Sequence, residues 1–343
     1  MAQAAAYPPI FDGHNDTIMS LTRTGRSFFE RSAEGHLDLP RALEGRLGGG
    51  FFAIYVPPPD AQAAAGSVPA GPDLGPAQTE MLSIFGRLLE IAQASGGRVQ
   101  VVRTAAEIQA CLDGGPFAML LHLEGAEPLD PEGRALEVFY AAGLRSVGLT
   151  HARRNAFSTG VPMRAFPSSP DIGPGLTDAG KTLVRRLNTR KVMIDLSHIN
   201  ERGFWDVAAI TDAPLVATHS NAHALCRNPR NLTDKQLDAV RESRGVVGLN
   251  FAVGFLREDG ARDAGMPIAR MADHVEYMVK RMGIDHVALG SDFDGTLVPA
   301  ELRDAAGLPK LVAAIEARGY KGGDLRKLLQ GNWVRVLRET WGA

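Results

Sequence analysis

Two short apolar runs, each closing on a histidine, constrain what this chain of 343 residues can fold into more than any other feature. They read Val192-Met193-Ile194-Asp195-Leu196-Ser197-His198 and Pro214-Leu215-Val216-Ala217-Thr218-His219-Ser220. Near-continuous apolar runs of this length predict strands covered on both faces, as in parallel α/β sheets. The intervening residues 201–211 have room for a short crossover helix. His198 and His219 then stand at the C-terminal ends of neighbouring parallel strands, the rim where active sites of α/β barrels gather. Two imidazoles at that rim suit a transition metal, although a strand-end histidine is also a common packing residue.

Six further runs repeat the pattern, at 9–13, 51–56, 117–123, 144–150, 245–251 and 286–291. The first leads into His14-Asn15-Asp16, the third into Glu124-Gly125, the fourth into His151 and the last into Asp292-Phe293-Asp294-Gly295. Side chains two apart on an extended segment share a face, so His14 and Asp16 point the same way. Asp16 could equally cap a helix beginning near Thr17. His122 lies two residues deeper than Glu124 and reads as a satisfied core histidine. Helical spacing marks 18–31, 39–47, 78–95, 132–142, 177–189, 232–242 and 268–282, with closing helices at 308–318 and 324–340. The Pro-rich run 57–76 reads as a lid, a wall or a plain insertion, and the long loop after His151 as functional. Eight strand candidates alternating with helices, without internal repeat or linker, predict the α/β class: a single (β/α)8 TIM-type barrel domain over residues 1–343.

Composition narrows the function. Lysine and arginine total 37 against 39 acids, a net of −2, so no polyanion partner is advertised and nucleic-acid binding is not expected. The 2 cysteines, Cys111 and Cys226, are far apart and form no CxxC pair, which excludes a disulfide scaffold and favours a reducing compartment. Residues 1–9 lack the basic start and apolar run of a secretory signal, and no stretch approaches the roughly 20 apolar residues that cross a bilayer. A cytoplasmic protein without membrane attachment is expected. A homodimer stays open, since the sequence carries no marker of oligomeric state.

Under the barrel reading the rim collects His14, Asp16, Glu124, His151, His198, His219 and Asp292. Single members have bland explanations; the set does not. Imidazoles and carboxylates without thiolate suit zinc, manganese, iron or cobalt in a catalytic site. Three histidines and two carboxylates are too many for one tetrahedral ion but suit two ions sharing Glu124, with His14 and Asp16 on one and His198 and His219 on the other. Two metals about 3.5–4 Å apart would clamp a water and lower its pKa enough to supply hydroxide. Asp292 is placed to take the water's proton and return it to a leaving amine. His151 could donate to a developing oxyanion, and Arg230 or Arg227 could bind a substrate carboxylate.

These residues resemble the membrane (renal) dipeptidase family of the amidohydrolase superfamily. The similarity lies in His14-Asn15-Asp16, His36-Leu37-Asp38-Leu39-Pro40-Arg41, Glu124-Gly125, Leu149-Thr150-His151, Gly175-Leu176-Thr177, Ile194-Asp195-Leu196-Ser197-His198, Thr218-His219-Ser220, Arg230-Asn231, Gly290-Ser291-Asp292-Phe293-Asp294-Gly295 and Gly331-Asn332-Trp333, in order over nearly the whole chain. The resemblance implies a binuclear zinc barrel that hydrolyses dipeptides and tolerates or prefers a D-residue at the C-terminal position. By motif match His14 and Asp16 bind one zinc, His198 and His219 the other, and Glu124 bridges. Asp292 is then the proton shuttle, His151 the transition-state contact and Arg230 the anchor for the dipeptide carboxylate. Mammalian members are secreted, disulfide-bonded and lipid-anchored, features not seen here, and the stretches 57–76 and 157–173 match nothing in the family pattern. The alternatives are a related amide, lactam or lactone hydrolase, or a non-catalytic metal-binding barrel. Intact Asp292 and His151 speak against the last, because metal retention needs neither.

Overall fold

Both faces of the strands are apolar, so both must be covered: the sheet curls round on itself to bury one face, and helices pack over the other. A computed structural model describes residues 7–57, 68–163 and 165–342. The strands are β1 (Ile10–Asn15), β2 (Leu47–Tyr55), β3 (Val99–Val102), β4 (Phe117–Glu124), β5 (Ser146–Gly148), β6 (Met193–Asp195), β7 (Val216–Ala217), β8 (Val246–Leu249) and β9 (Val287–Leu289). All pairings are parallel, in the order β1-β2-β4-β5-β6-β7-β8-β9. Asn15 bridges Phe293, and the Asp16 N–H donates to the Phe293 carbonyl at 2.8 Å, so the two ends of the sheet meet. Asp12 strengthens that seam by accepting from the Ser291 N–H at 2.6 Å and its hydroxyl at 2.7 Å. The fold is a nearly closed TIM-type barrel of eight parallel strands with helices outside.

Alternation along β4 shows how the barrel is filled. Phe117, Met119, Leu121 and Leu123 join the layer beneath the helices, while Ala118 and Leu120 join the inner core with Phe11, Phe51, Met193, Val216, Val246 and Ala288. By the same period His122 and then Glu124 face inward, one layer and two layers above Leu120. The floor is plugged by fully buried Trp333 of the last helix (Asn332–Trp341), whose indole N–H donates to the Leu289 carbonyl at 2.9 Å. Its ring packs 5.2 Å from Phe51, and Gly13 is bare for a reason: a Cβ there would stand 2.4 Å from the indole. The last of the expected closing helices, at 324–340, thus closes the floor through its segment Asn332–Trp341.

Differences from the sequence reading are local. Strand β3, followed by a helix at Ala105–Leu112, was not anticipated; it takes one edge of β4 at 117–120, and β5 takes that edge higher up, at 122–124. The first helix is Thr17–Thr24, stopped by Gly25 in the left-handed conformation (φ 70°), rather than reaching 31. Within the Pro-rich run, residues 58–67 lie outside the described residues, and a helix begins at Leu74. Strands β6 and β7 are shorter than the apolar runs that contain them. The Asp195 carboxylate captures the N–H groups of Ser197 (3.0 Å) and Thr218 (2.8 Å), taking the place of ladder bonds and turning the chain out toward the rim.

Candidate metal centre

Each candidate side chain leaves the C-terminal end of a strand. His14 is the last residue but one of β1 and Asp16 follows the strand; Glu124 is the last residue of β4; His151, His198, His219 and Asp292 lie just beyond β5, β6, β7 and β9. Asp16 occupies the N-cap position of the first helix, yet its side chain makes no capping bond. The carboxylate is left to the site. His198 and Asp292 sit at φ 68° and 57°, a left-handed backbone that costs free energy in non-glycine residues and recurs at functional sites.

The side chains converge on Glu124. Its Oε1 is 2.9 Å from His198 Nε2, 3.4 Å from His219 Nε2 and 3.5 Å from His14 Nε2. His198 and His219 bring their Nε2 atoms within 3.1 Å, and His14 Nε2 lies 3.9 Å from Asp16 Oδ2. Ligand atoms on a tetrahedron around zinc at 2.0–2.1 Å stand about 3.3 Å apart. The observed spacings match the edge of such a polyhedron. Both ring nitrogens of His14 are buried and have no hydrogen-bond partner among the described residues. Leaving two such atoms unpaired costs on the order of 1–3 kcal/mol each unless something else binds them. The donor groups overlap: His14, Glu124 and His219; Glu124, His151 and His198; His14, Asp16 and Asp292. Glu124 is common to the first two, as a bridging carboxylate would be. These residues fit divalent metal.

Burial shapes the charges. It holds His14 and His198 well below the usual imidazole range, helped by His219 beside His14 and by Arg230 near His198, so both present neutral nitrogens. Burial also opposes charge on Glu124, but His14, His198 and His219 outweigh it and keep this carboxyl well below its ordinary value. Asp292 is pushed up, first by burial and then by the charge of Glu124, with the Asn250 hydrogen bond and the Arg230 guanidinium opposing. Asp16 is raised well above the carboxylate range by burial and by the charges of Glu124 and Asp292. Burial lowers His151 to about 4.

Several contributors were not singled out from sequence. Thr218 donates its hydroxyl to Asp195 Oδ2 at 2.6 Å and lies 2.8 Å from His219 Nδ1. A carboxylate only accepts, so the Thr218 hydroxyl proton points at Asp195 and His219 Nδ1–H donates to Thr218. That leaves the Nε2 lone pair facing Glu124. Asn250, just past β8, donates to Asp292 Oδ2 at 2.9 Å. His122 is only half satisfied: Nδ1 pairs with the Ser146 hydroxyl at 2.8 Å, while Nε2 stands 3.5 Å from Asp195 Oδ2 without a hydrogen bond.

A cavity of about 570 Å³ opens over the centre, walled by Asp16, Glu124, His151, His198 and Asp292 at the base and by Met19, Tyr55, Ile84 and Met163 above. His14 and His219 lie beneath that base, and Arg230 lies outside the wall, behind His219, where its Nη2 donates to the His219 carbonyl at 3.1 Å. Arg230 is buried with its Nε unpartnered, whereas Arg227 is exposed. Asp294 does the work of a turn residue, held at φ 69° by Arg26 (2.8 Å) and the His36 N–H (2.6 Å). No helix among the described residues is long and apolar enough to cross a membrane.

Comparison with known proteins adds the following. The family model for membrane dipeptidase, peptidase family M19, matches residues 3–342. A crystal structure of a dipeptidase of metallopeptidase family M19 is 48% identical and superposes with a TM-score of 0.95, covering 98% of this chain and 100% of that one. A metallopeptidase from Rhodobacter sphaeroides, liganded with a phosphinate mimic of the dipeptide L-Ala-D-Ala, is 47% identical with a TM-score of 0.94 over 98% of this chain and 100% of its own. The dipeptidase tcpJ of Claviceps purpurea is 30% identical over 340 residues, 96% of this chain and 76% of that protein.

Proposed function

This chain belongs to the membrane dipeptidase family, peptidase family M19, and is a metallo-dipeptidase; we propose that it is a binuclear zinc enzyme cleaving dipeptides with a tolerated or preferred D-residue at the C-terminal position. Support for the stereochemistry comes from the Rhodobacter sphaeroides neighbour, which holds a mimic of L-Ala-D-Ala. His14 and Asp16 would hold one ion, His198 and His219 the other, and Glu124 both. Bound there, the ions supply an acidified water near neutral pH and polarise the scissile carbonyl. The family match over 3–342 supports one catalytic domain.

The chain's own side chains do the rest. Asp292, raised by burial and fixed through Oδ2 by Asn250, is suited to take a proton from water and hand it to the leaving amine. His151, neutral at working pH because burial lowers it to about 4, offers an N–H to the oxyanion that forms at the carbonyl carbon. Arg230 does not line the cavity, but its buried Nε is unpartnered, and this N–H is assigned to a substrate carboxylate that reaches past His219. The observation that carries this reading is the Glu124 oxygen ringed by three imidazole nitrogens at 2.9–3.5 Å, with His14 otherwise unpartnered.

The test is hydrolysis of L-Ala-D-Ala against L-Ala-L-Ala, with and without chelator, in wild type and Arg230→Ala. Expected are turnover abolished by chelation and restored by zinc, and in Arg230→Ala a KM raised about 10- to 100-fold, the worth of a charge-assisted hydrogen bond. Turnover indifferent to chelator would refute the metal assignment. A KM for L-Ala-D-Ala unmoved by Arg230→Ala would refute Arg230 as the anchor of the dipeptide carboxylate.

A further inference from the structure

Among the site histidines, His151 stands out for how it is held. Its ring has no side-chain hydrogen bond among the described residues; it is clasped between the Tyr55 ring (centroids 4.3 Å apart) and the His198 ring (4.3 Å). One side of that clasp is itself anchored. Arg153 is 2% exposed, among the largest fully buried side chains, and its guanidinium lies 4.7 Å from the Tyr55 ring centroid. It donates Nε to Glu127 Oε1 at 2.6 Å and Nη1 to the Tyr55 hydroxyl at 3.3 Å, while Nη2 donates to the Val56 carbonyl. One side chain thus ties the loop after β4, the end of β2 and the loop after β5 together, directly beside the cavity.

We propose that Arg153, clamped by Glu127, is a positioning residue for His151, acting through the ring of Tyr55. A buried ion pair is a poor way to add stability, since apolar residues of similar size often do as well or better. What a guanidinium provides here is direction: three donors in a rigid fork fix the Tyr55 ring and the Val56 carbonyl relative to one another. The backbone is set to match. Arg153 N–H donates to the His151 carbonyl at 2.9 Å, and Gly160 packs so close that a Cβ there would meet that carbonyl at 1.8 Å. A donor aimed at a developing oxyanion loses most of its effect when it can swing, so a ring held by tilted ring contacts, 49° to Tyr55 and 33° to His198, needs its contact partner held.

This inference rests on the role proposed for His151, and a double-mutant cycle separates the two. Tyr55→Leu, Tyr55→Phe, Arg153→Lys, His151→Ala and Tyr55→Leu/His151→Ala are compared as zinc-loaded protein for kcat, KM, metal content and affinity for the phosphinate mimic of L-Ala-D-Ala. Expected for Tyr55→Leu is a kcat lower by about 10-fold or more with KM changed less than about 2-fold, and mimic affinity falling in parallel with kcat/KM, as for loss of a contact made only in the transition state. Tyr55→Phe, which keeps the ring, should recover most of the loss. Arg153→Lys keeps the charge beside Glu127 but loses the fork, and should lower kcat with metal content unchanged. In the His151→Ala background Tyr55→Leu should change nothing further. An equal loss in both backgrounds, a change in KM alone, or loss of metal from Tyr55→Leu would overturn the proposal. A His151→Ala protein with normal kcat would overturn it too, and would show that the assignment of His151 is what failed.

Discussion

Thr218 shows what a single side chain decides here. Its hydroxyl links Asp195 to His219 Nδ1, fixing the tautomer that turns Nε2 toward Glu124. Thr218→Val keeps the shape and removes the link. Metal affinity at the site is expected to fall about 10- to 100-fold, the usual cost of losing a hydrogen bond behind a ligand; competition against a chelator of known affinity measures it, and an unchanged affinity would deny Thr218 this role. At this scale the sequence showed residue types well and roles unevenly. Histidines and carboxylates at the ends of apolar runs were visible because strands end at a rim. Thr218, Asn250, Tyr55 and Arg153 were not, because each acts across a strand boundary that sequence order does not display. Asp195 lay in plain sight within an apolar run, where a buried carboxylate signals a bonded partner.

Elements were legible wherever a long run repeated its period. The helices Asp178–Thr189 and Glu201–Ile210 lie within a residue or two of their expected ranges, and Thr177 caps the first by accepting from the Gly180 N–H at 3.0 Å. Strand β3 escaped because it is short, only 4 residues, and half of it is incompletely buried, so its apolar signal is weak. The helix Ala269–Met282 carries a test of its own. His274 on its buried face donates Nε2–H to the Leu256 carbonyl at 3.0 Å and accepts the Ala222 N–H at Nδ1 (3.3 Å), which requires the neutral ring. Burial lowers its pKa to about 4. Between about 4 and 6.5 the unfolded chain therefore binds more protons than the folded one. The stability this group contributes is whole above pH 6.5 and declines as pH falls toward 4, by at most roughly 3 kcal/mol. Denaturant unfolding of wild type and His274→Gln should accordingly give a larger stability difference at pH 7 than at pH 4.5. A difference independent of pH would contradict this account.

At the scale of the molecule the barrel is a scaffold closed at the floor and opened at the rim. Trp333 fills the floor against Phe51, Gly13 and Gly248, and the seam between β1 and β9 is pinned by Asp12 and Ser291. Trp333→Ala should cost about 3–5 kcal/mol of stability, as truncation of a large buried aromatic does, measured by denaturant unfolding; a loss under about 1 kcal/mol would mean the floor closes without it. Eight alternating strands and helices made the architecture legible, while the depth of Arg230 behind His219 required the fold to be seen. The rim gathers His14, His198 and His219, from the ends of β1, β6 and β7, around the Glu124 carboxylate at the end of β4. Anomalous diffraction at the zinc edge, from crystals of the zinc-loaded protein, tests that directly. Two peaks per chain are expected, one bounded by His14 and Asp16 and the other by His198 and His219, with Glu124 between them. One peak, none, or a pair placed away from Glu124 would contradict it.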